Sequence, residues 1–227
     1  MKKIVFIVQS KGGSGKSILT FMLAEKHPKA RILEMDDATK TTSIQLAYRK
    51  PLLISFLNEN KTIDRGLFDL FLEKIETSKH DLFICDLGAS ISEQLPHYLV
   101  EAQGVIPEVL KKMKIELELY VVIGGSNIFI QSMTFLDELR KSANGSYSIK
   151  VFANLFYSFS SEQQDQLNLY IQDHKLPVIP FDLSADKNLS RQERIKEMLK
   201  SGTGISQLGT IQKAYIEQAI EKIPPIK

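Results

Sequence analysis

Short runs of consecutive apolar residues punctuate the chain: KIVFIV (3–8), RILEM (31–35), DLFICD (81–86), LELYVVIGG (117–125), IKVFAN (149–154) and LPVIP (176–180). Several are apolar at nearly every position, not at every second one, which is the pattern of strands covered on both faces. Between them lie longer stretches with apolar positions at helical spacing. These predict helices over 16–27, 65–77, 92–113 with a break at Pro107, 127–142, 161–173, 189–200 and 205–222. Strands alternating with helices of this length predict an α/β fold: a doubly wound, mostly parallel sheet with helices on both faces. Ligands in that architecture sit at the carboxyl ends of the strands. The whole chain, 1–227, is expected to form one such domain.

Composition narrows the chemistry only a little. The 227 residues carry a formal net charge of +2, which argues neither for nor against a nucleic-acid partner. Cys85 is the one cysteine, so neither an intramolecular disulfide nor a multi-cysteine metal site can form within one chain. It lies in the apolar run DLFICDL and is expected in the core. No run of 18 apolar residues exists, and Lys2-Lys3 before the first apolar run leads straight into a glycine loop, so that run reads as a strand and not a signal peptide. A cytoplasmic location is expected. His27, His80, His97 and His174 have no metal-ligand spacing.

The chemistry is concentrated in QSKGGSGKSILT, residues 9–20. A strand, a glycine-rich turn and a helix beginning near Lys16 are the context of a phosphate-binding P-loop. Gly12, Gly13 and Gly15 let the backbone bend around a β-phosphate with its N–H groups inward, and the helix N-terminus adds partial positive charge. Lys16 would reach the β- and γ-phosphates, and the Ser17 hydroxyl would ligate Mg²⁺. The third strand ends in FICDLGAS, an acid after four apolar residues, which is the Walker B arrangement. Asp86 there is expected to serve the same Mg²⁺, and Gly88 to bring its backbone near the γ-phosphate.

Ser10 stands where the ordinary loop has its first glycine, and a second lysine, Lys11, follows it. This variant, K-G-G-x-G-K-[ST], resembles the ParA/MinD group of P-loop ATPases with a "deviant" Walker A motif. The resemblance implies ATP and Mg²⁺ as ligands and an ATP-bound homodimer, with Lys11 acting in trans on the partner's nucleotide. It extends to LEMDDATKTT, similar to the family's D-x-D region with Glu34 at the first acid. Asp36 is then implied to orient the attacking water, although Asp37 beside it leaves two candidates. Thr39 to Thr42 would form a first switch segment. Asn154, at the end of VFAN, aligns with an asparagine that recognises the adenine edge, and IPFD (179–182) with a turn beside the base. The implied nucleotide-binding set is Gly12, Gly13, Ser14, Gly15, Lys16, Ser17 and Ile18 with Asn154, Pro180, Phe181 and Asp182. The catalytic set is Lys11, Lys16 and Asp36, and the metal set Ser17 and Asp86.

A further stretch, 86–126, with D-L-G-A-S, L-P-H-Y-L and a glycine pair after the next strand, is similar to the ParA-like TraL proteins of conjugative plasmid transfer regions. That likeness implies a role in conjugative DNA transfer or plasmid maintenance, with an unidentified protein of a transfer or partition complex as partner. Non-specific DNA is a second candidate partner through Lys187, Arg191, Arg194, Lys196 and Lys200. On a helical wheel Arg191 and Arg194 share one flank and Lys196 and Lys200 fall on the other side, as on an ordinary solvated helix. The chain starts at its first strand, so operator-specific recognition by a preceding segment is not expected. The last helix lacks a cationic face and aromatic tip, so docking onto the domain is expected and a membrane is not. Two other classes compete with a switch ATPase: a small-molecule kinase or ligase of related fold, like dethiobiotin synthetase, and a module that holds nucleotide without turnover.

Overall fold

The computed structural model describes residues 1–35, 39–183 and 188–226. Its strands are β1 (Lys2–Val8), β2 (Arg31–Met35), β3 (Leu52–Leu53), β4 (Leu82–Leu87), β5 (Ile115–Gly124), β6 (Ser148–Asn154) and β7 (Val178–Phe181). They form one sheet in the order β3-β2-β4-β1-β5-β6-β7, every neighbouring pair parallel. The helices are α1 (Lys16–Lys26), α2 (Thr41–Gln45), α3 (Arg65–Thr77), α4 (Ala89–Glu101), α5 (Ile106–Lys112), α6 (Phe129–Ala143), α7 (Ser161–His174), α8 (Leu189–Ser201) and α9 (Thr210–Glu221).

Strand pleating sorts the apolar runs into two cores. Ile4, Phe6 and Val8 face one side with Leu33, Cys85 and Val121, covered by α3 to α7. Val5 and Ile7 face the other with Ile84, Tyr120 and Val122, beneath α1, α8 and α9. Successive strand residues point to opposite faces, so only continuously apolar strands can serve both layers. Cys85 is fully buried, as expected, and its thiol is pushed well above its usual pKa by burial and the neighbouring Asp86.

The expected elements are all present, with differences at turns. The long helix expected over 92–113 stops at Glu101 and restarts at Ile106, ahead of Pro107. Pro107 sits in the first turn of α5, where its missing N–H costs nothing and its fixed φ suits helix entry. Pro96 lies inside α4, so proline position alone did not locate the break. The two-residue β3 and five-residue α2 are too short to carry a periodicity and had no sequence signal. In α4, Tyr98 is buried against the Phe68 ring at 4.8 Å, whereas His97 is exposed beside Glu101.

Central β1 has β4 on one side and β5 on the other. The chain therefore leaves its carboxyl end at the point where the winding reverses, the usual crevice for a ligand in open α/β sheets. The register sets Ile7 opposite Asp86 and Gly124 opposite Asn154, so the ends of β1, β4, β5 and β6 open onto one face.

Candidate functional site

The loop after β1 is held in its curve by backbone geometry and by side chains from neighbouring strands. Gly13 and Gly15 have φ of +76° and +104°, a region where an L-residue is strained. Gly15 caps α1, and a Cβ there would lie 2.2 Å from Asn154 Nδ2. Asn154, 4% exposed, donates from Nδ2 to Ser14 O at 2.8 Å, and its Oδ1 accepts the Phe156 N–H at 3.1 Å. Tyr157 adds a hydroxyl contact to Gly13 O. Gln9, fully buried, anchors the loop's entry by donating to Val122 O at 2.8 Å while its Oε1 accepts from Ser10 Oγ and Lys11 N–H. The Lys16 ammonium donates to Gln9 O at 2.9 Å.

A cavity of about 340 Å³ opens over this loop, with Gly12 to Ile18 on one wall and Thr39, Thr41, Gln45, Ala89 and Ser90 on the others. At its floor the Ser17 hydroxyl donates to Asp86 Oδ2 at 2.7 Å, and the Thr42 hydroxyl donates to the same oxygen at 2.5 Å. Asp86 is 3% exposed, and its Oδ1 is buried without a hydrogen-bond partner among the described residues. Burial pushes its carboxyl up to about 6; bonds from Thr42 and Ser17 and the Lys16 charge oppose this, and Glu34 adds to it. A buried carboxylate oxygen without a partner, next to a serine hydroxyl at the head of a helix, fits a hard divalent cation that takes oxygen ligands.

Glu34, near the end of β2, is itself buried and caps α2: its Oε1 accepts Thr42 N–H at 2.9 Å and its Oε2 accepts Ser43 N–H at 2.8 Å. Gly88 opens α4 and donates its N–H to Met35 O at 3.0 Å. Helix α2 is thereby tied to β2 through Glu34 and to Asp86 through Thr42.

A second cavity, of about 210 Å³, adjoins the first along Gly13, Gly15 and Ile18 and is walled by Asn154, Tyr157, Asp182, Leu183, Ile195 and Leu199. It is the more apolar of the two. Phe181 lies buried behind it against the Phe152 ring, and Pro180 is exposed on edge strand β7, where the ladder tolerates a missing N–H.

The structure thus brings together Gly12, Gly13, Ser14, Gly15, Lys16, Ser17, Ile18, Asp86, Asn154 and Asp182. Pro180 and Phe181 lie behind or beside the cavities and line neither. Lys11 is exposed at the mouth of the loop. Asp36 and Asp37 lie outside the described residues, as does Lys187. Sequence reasoning missed Gln9, Tyr157 and the α8 wall of the second cavity. Gln9 directly precedes the loop motif, and a lone polar residue closing an apolar strand was the available signal. The α8 wall is contributed by tertiary packing and had none.

Outside this site, the glycine pair after β5 is explained by close approach. A Cβ on Gly124 would lie 2.2 Å from Ile128 Cδ1, and one on Gly125 would lie 2.4 Å from Ser158 O. In α8, the Arg191 guanidinium stacks on the Tyr215 ring of α9 at 4.0 Å, while Arg194, Lys196 and Lys200 are exposed. Helix α9 buries Ile216, Ala219 and Ile220 against the α1 side of the sheet. Among the described residues no helix is long and apolar enough to cross a membrane.

No family profile matches the chain. Two Escherichia coli TraL proteins are similar in sequence: one is 30% identical over 145 residues and the other 31% over 142, each match covering 61% of this chain and 57% of the TraL protein. The matched region therefore spans little more than half the length of those relatives. Among solved structures, a plasmid partition protein of Borrelia burgdorferi bound to AMPPNP superposes with a TM-score of 0.56 at 16% identity, covering 98% of both chains. A chain of the MinC:MinD cell division protein complex of Aquifex aeolicus gives 0.54 at 13% identity, covering 99% of this chain and 98% of its own. The chain is a sequence relative of TraL, built on the ParA/MinD-type P-loop fold.

Proposed function

We propose that this chain is a Mg²⁺-dependent ATPase that acts as an ATP-driven dimerisation switch in conjugative DNA transfer or plasmid maintenance. The observation that carries the reading is the Ser17–Asp86 pair, 2.7 Å apart beneath a glycine loop whose cavity continues into an apolar one. One space suits phosphates and a metal, and the next suits a nucleobase. Mg²⁺, when bound, would neutralise phosphate oxygens.

The chain's own residues supply the rest. Loop N–H groups and the α1 N-terminus orient the phosphates, and Lys16 exchanges its bond to Gln9 O for one to a phosphate oxygen. Ser17 and Asp86 would hold the metal, and Thr42 donates to the same Asp86 oxygen. Asp36 accepts a hydrogen bond from the attacking water, and Lys11 is presented to the nucleotide of a second copy. Asn154, Pro180, Phe181 and Asp182 form the base end, where Asn154 reads the adenine edge once it releases Ser14 O. The partner is a protein of a transfer or partition complex in the cytoplasm.

The test is mass in solution by light scattering, together with phosphate release, for wild type and Lys11→Ala with ADP and with ATP-Mg²⁺. A dimer formed with ATP alone and lost in the variant is the expected result. A monomer under every condition would refute the switch.

A further inference from the structure

The opposite end of the sheet, where strands β2 and β4 begin, carries a second feature that no nucleotide chemistry uses. A cavity of about 810 Å³ lies between the α1–β2 turn, the turn before β3 and the entry to β4. Five cations from these segments line it: Lys26, Lys29, Arg31, Arg49 and Lys79. The one acid on its wall is Asp81. None of the five makes an ion pair with a carboxylate among the described residues. Lys26 and Arg49 are held by main-chain carbonyls, those of Ile220 and Glu221 and those of Ala24, Pro28 and Ala30, and Glu25 offsets part of the Arg49 charge from beyond ion-pair distance. For a chain of formal net charge +2, that is a strong local excess.

Arg31 and His80 are shared with a neighbouring groove of about 380 Å³ that is apolar instead. Leu33 and Phe83 form its floor, and its rim carries Leu52, Leu53, Leu67 and Leu70, which are 46%, 48%, 37% and 50% exposed. Lys74 is the further charge on that rim. The groove runs beside β3, the strand at the end of the sheet. Ile54 donates its N–H to Glu34 O at 2.9 Å, and Leu53 is in register with Glu34. A parallel ladder then turns the N–H and C=O of Leu53 outward, away from β2.

We propose that this edge is the docking site of an extended acidic segment of a partner protein, which adds a strand to β3, lays alternate apolar side chains in the groove and sets carboxylates over the basic cavity. Three features meet in one place, and only such a segment answers all of them. Main-chain pairing uses the Leu53 edge, pockets take every second side chain, and the basic wall selects negative charge. A nucleic acid would satisfy the cations and leave four exposed leucines in water. A bilayer would cover the leucines but leave edge N–H and C=O groups without partners in hydrocarbon. A second copy paired edge to edge would bring two sets of excess cations together, the arrangement that keeps sheet edges apart.

The proposal is independent of the nucleotide reading and is tested without nucleotide. A displayed library of random twelve-residue peptides is selected on the full chain, and enriched peptides are titrated by fluorescence anisotropy. The variants are Leu53→Pro, which removes the outward N–H, Leu70→Glu in the groove, and the pair Lys29→Glu with Lys79→Glu. These are surface positions, and circular dichroism checks that each variant is folded. Enriched peptides are expected to carry at least two acids beside alternating apolar residues, to weaken with salt, to lose at least tenfold in affinity for each variant, and to slow hydrogen exchange at Leu53. The proposal is overturned if nothing is enriched, if enriched peptides lack acids, or if they bind the variants as tightly as wild type. It is equally overturned if phosphatidylglycerol vesicles or a 20-base-pair duplex bind the chain and lose affinity with all three variants while the peptides do not.

Discussion

Replacing Gly15 by alanine probes how the glycine loop is held, and the structure sets the size of the effect. Two costs add. The φ of +104° forces an L-residue into a strained region, for about 1–3 kcal/mol. The new Cβ would lie 2.2 Å from Asn154 Nδ2 and 3.2 Å from its Cγ, so the amide must move and its bond to Ser14 O breaks. Asn154 is buried, so leaving that carbonyl unmatched costs a further 1–3 kcal/mol or so. Asn154→Ala alone gives up the same bond and the one from Phe156 N–H, again for about 1–3 kcal/mol. In the double variant the contact is lost once, not twice, and the added methyl meets no amide. The two substitutions should therefore be less than additive by roughly 1–2 kcal/mol, as expected for side chains in direct contact. Urea unfolding of wild type, both single variants and the double variant, analysed with a common slope, measures this coupling. Additivity to within about 0.5 kcal/mol would refute the clamp, because independent sites behave that way.

Two other predictions concern elements away from the loop. Gly202 ends α8 at φ +64°, and a Cβ there would lie 2.2 Å from Ile44 O and 2.8 Å from Ala47 Cβ; Gly202→Ala should cost more than about 2 kcal/mol and separate α8 from α2, and an unchanged melting temperature would contradict this. Burial, with Lys26 beside it, lowers the pKa of His27 from 6.5, and its Nε2 accepts the Ile226 N–H at 3.2 Å. The unfolded chain therefore binds the proton more tightly than the folded one, so His27 contributes a stability that is complete above pH 6.5 and is lost as pH falls below it. Wild type should weaken between pH 7.5 and 5.5 relative to His27→Gln in parallel urea titrations; coincident pH profiles would argue against it.

The sheet and most helices were legible because their signals are local. Strands with a continuous apolar run, such as IVFIV (4–8), announce burial on both faces, and the two cores take their alternate residues. The glycine loop and Asp86 were legible because a P-loop motif has fixed residue types at fixed spacing, and the structure places Ser17 and Asp86 side by side. What escaped was set by tertiary contact. Tyr157 reaches the loop from beyond β6, Gln9 is fixed by Val122 O on the neighbouring strand, the wall from α8 is supplied by the far end of the chain, and β3 is two residues long. Lys16 shows the same limit from the other side. Its place in the motif was plain, but its bond to Gln9 O depends on how the loop closes over β1.

Glu34 is the case where a departure from the family pattern acquires a physical purpose. The D-x-D resemblance sets an aspartate at this position, and the extra methylene looks like drift. In the structure the longer side chain spans from β2 to the first turn of α2, matching one carboxylate oxygen to Thr42 N–H and the other to Ser43 N–H. Thr42 is fully buried, so its N–H has no water to turn to, and the same residue's hydroxyl reaches Asp86. Glu34→Asp restores the family residue yet shortens the reach by one carbon, so it cannot satisfy both donors without moving α2. It should cost about 1–3 kcal/mol, the price of a buried donor left unmatched. Glu34→Gln keeps one acceptor and should fall between Glu34→Asp and wild type. Amide exchange at Thr42 and Ser43, followed with urea unfolding, reads both effects at once. If Glu34→Asp is as stable as wild type with both amides still protected, the side-chain length is incidental, and α2 is held in place by its packing against α1 and α8 instead.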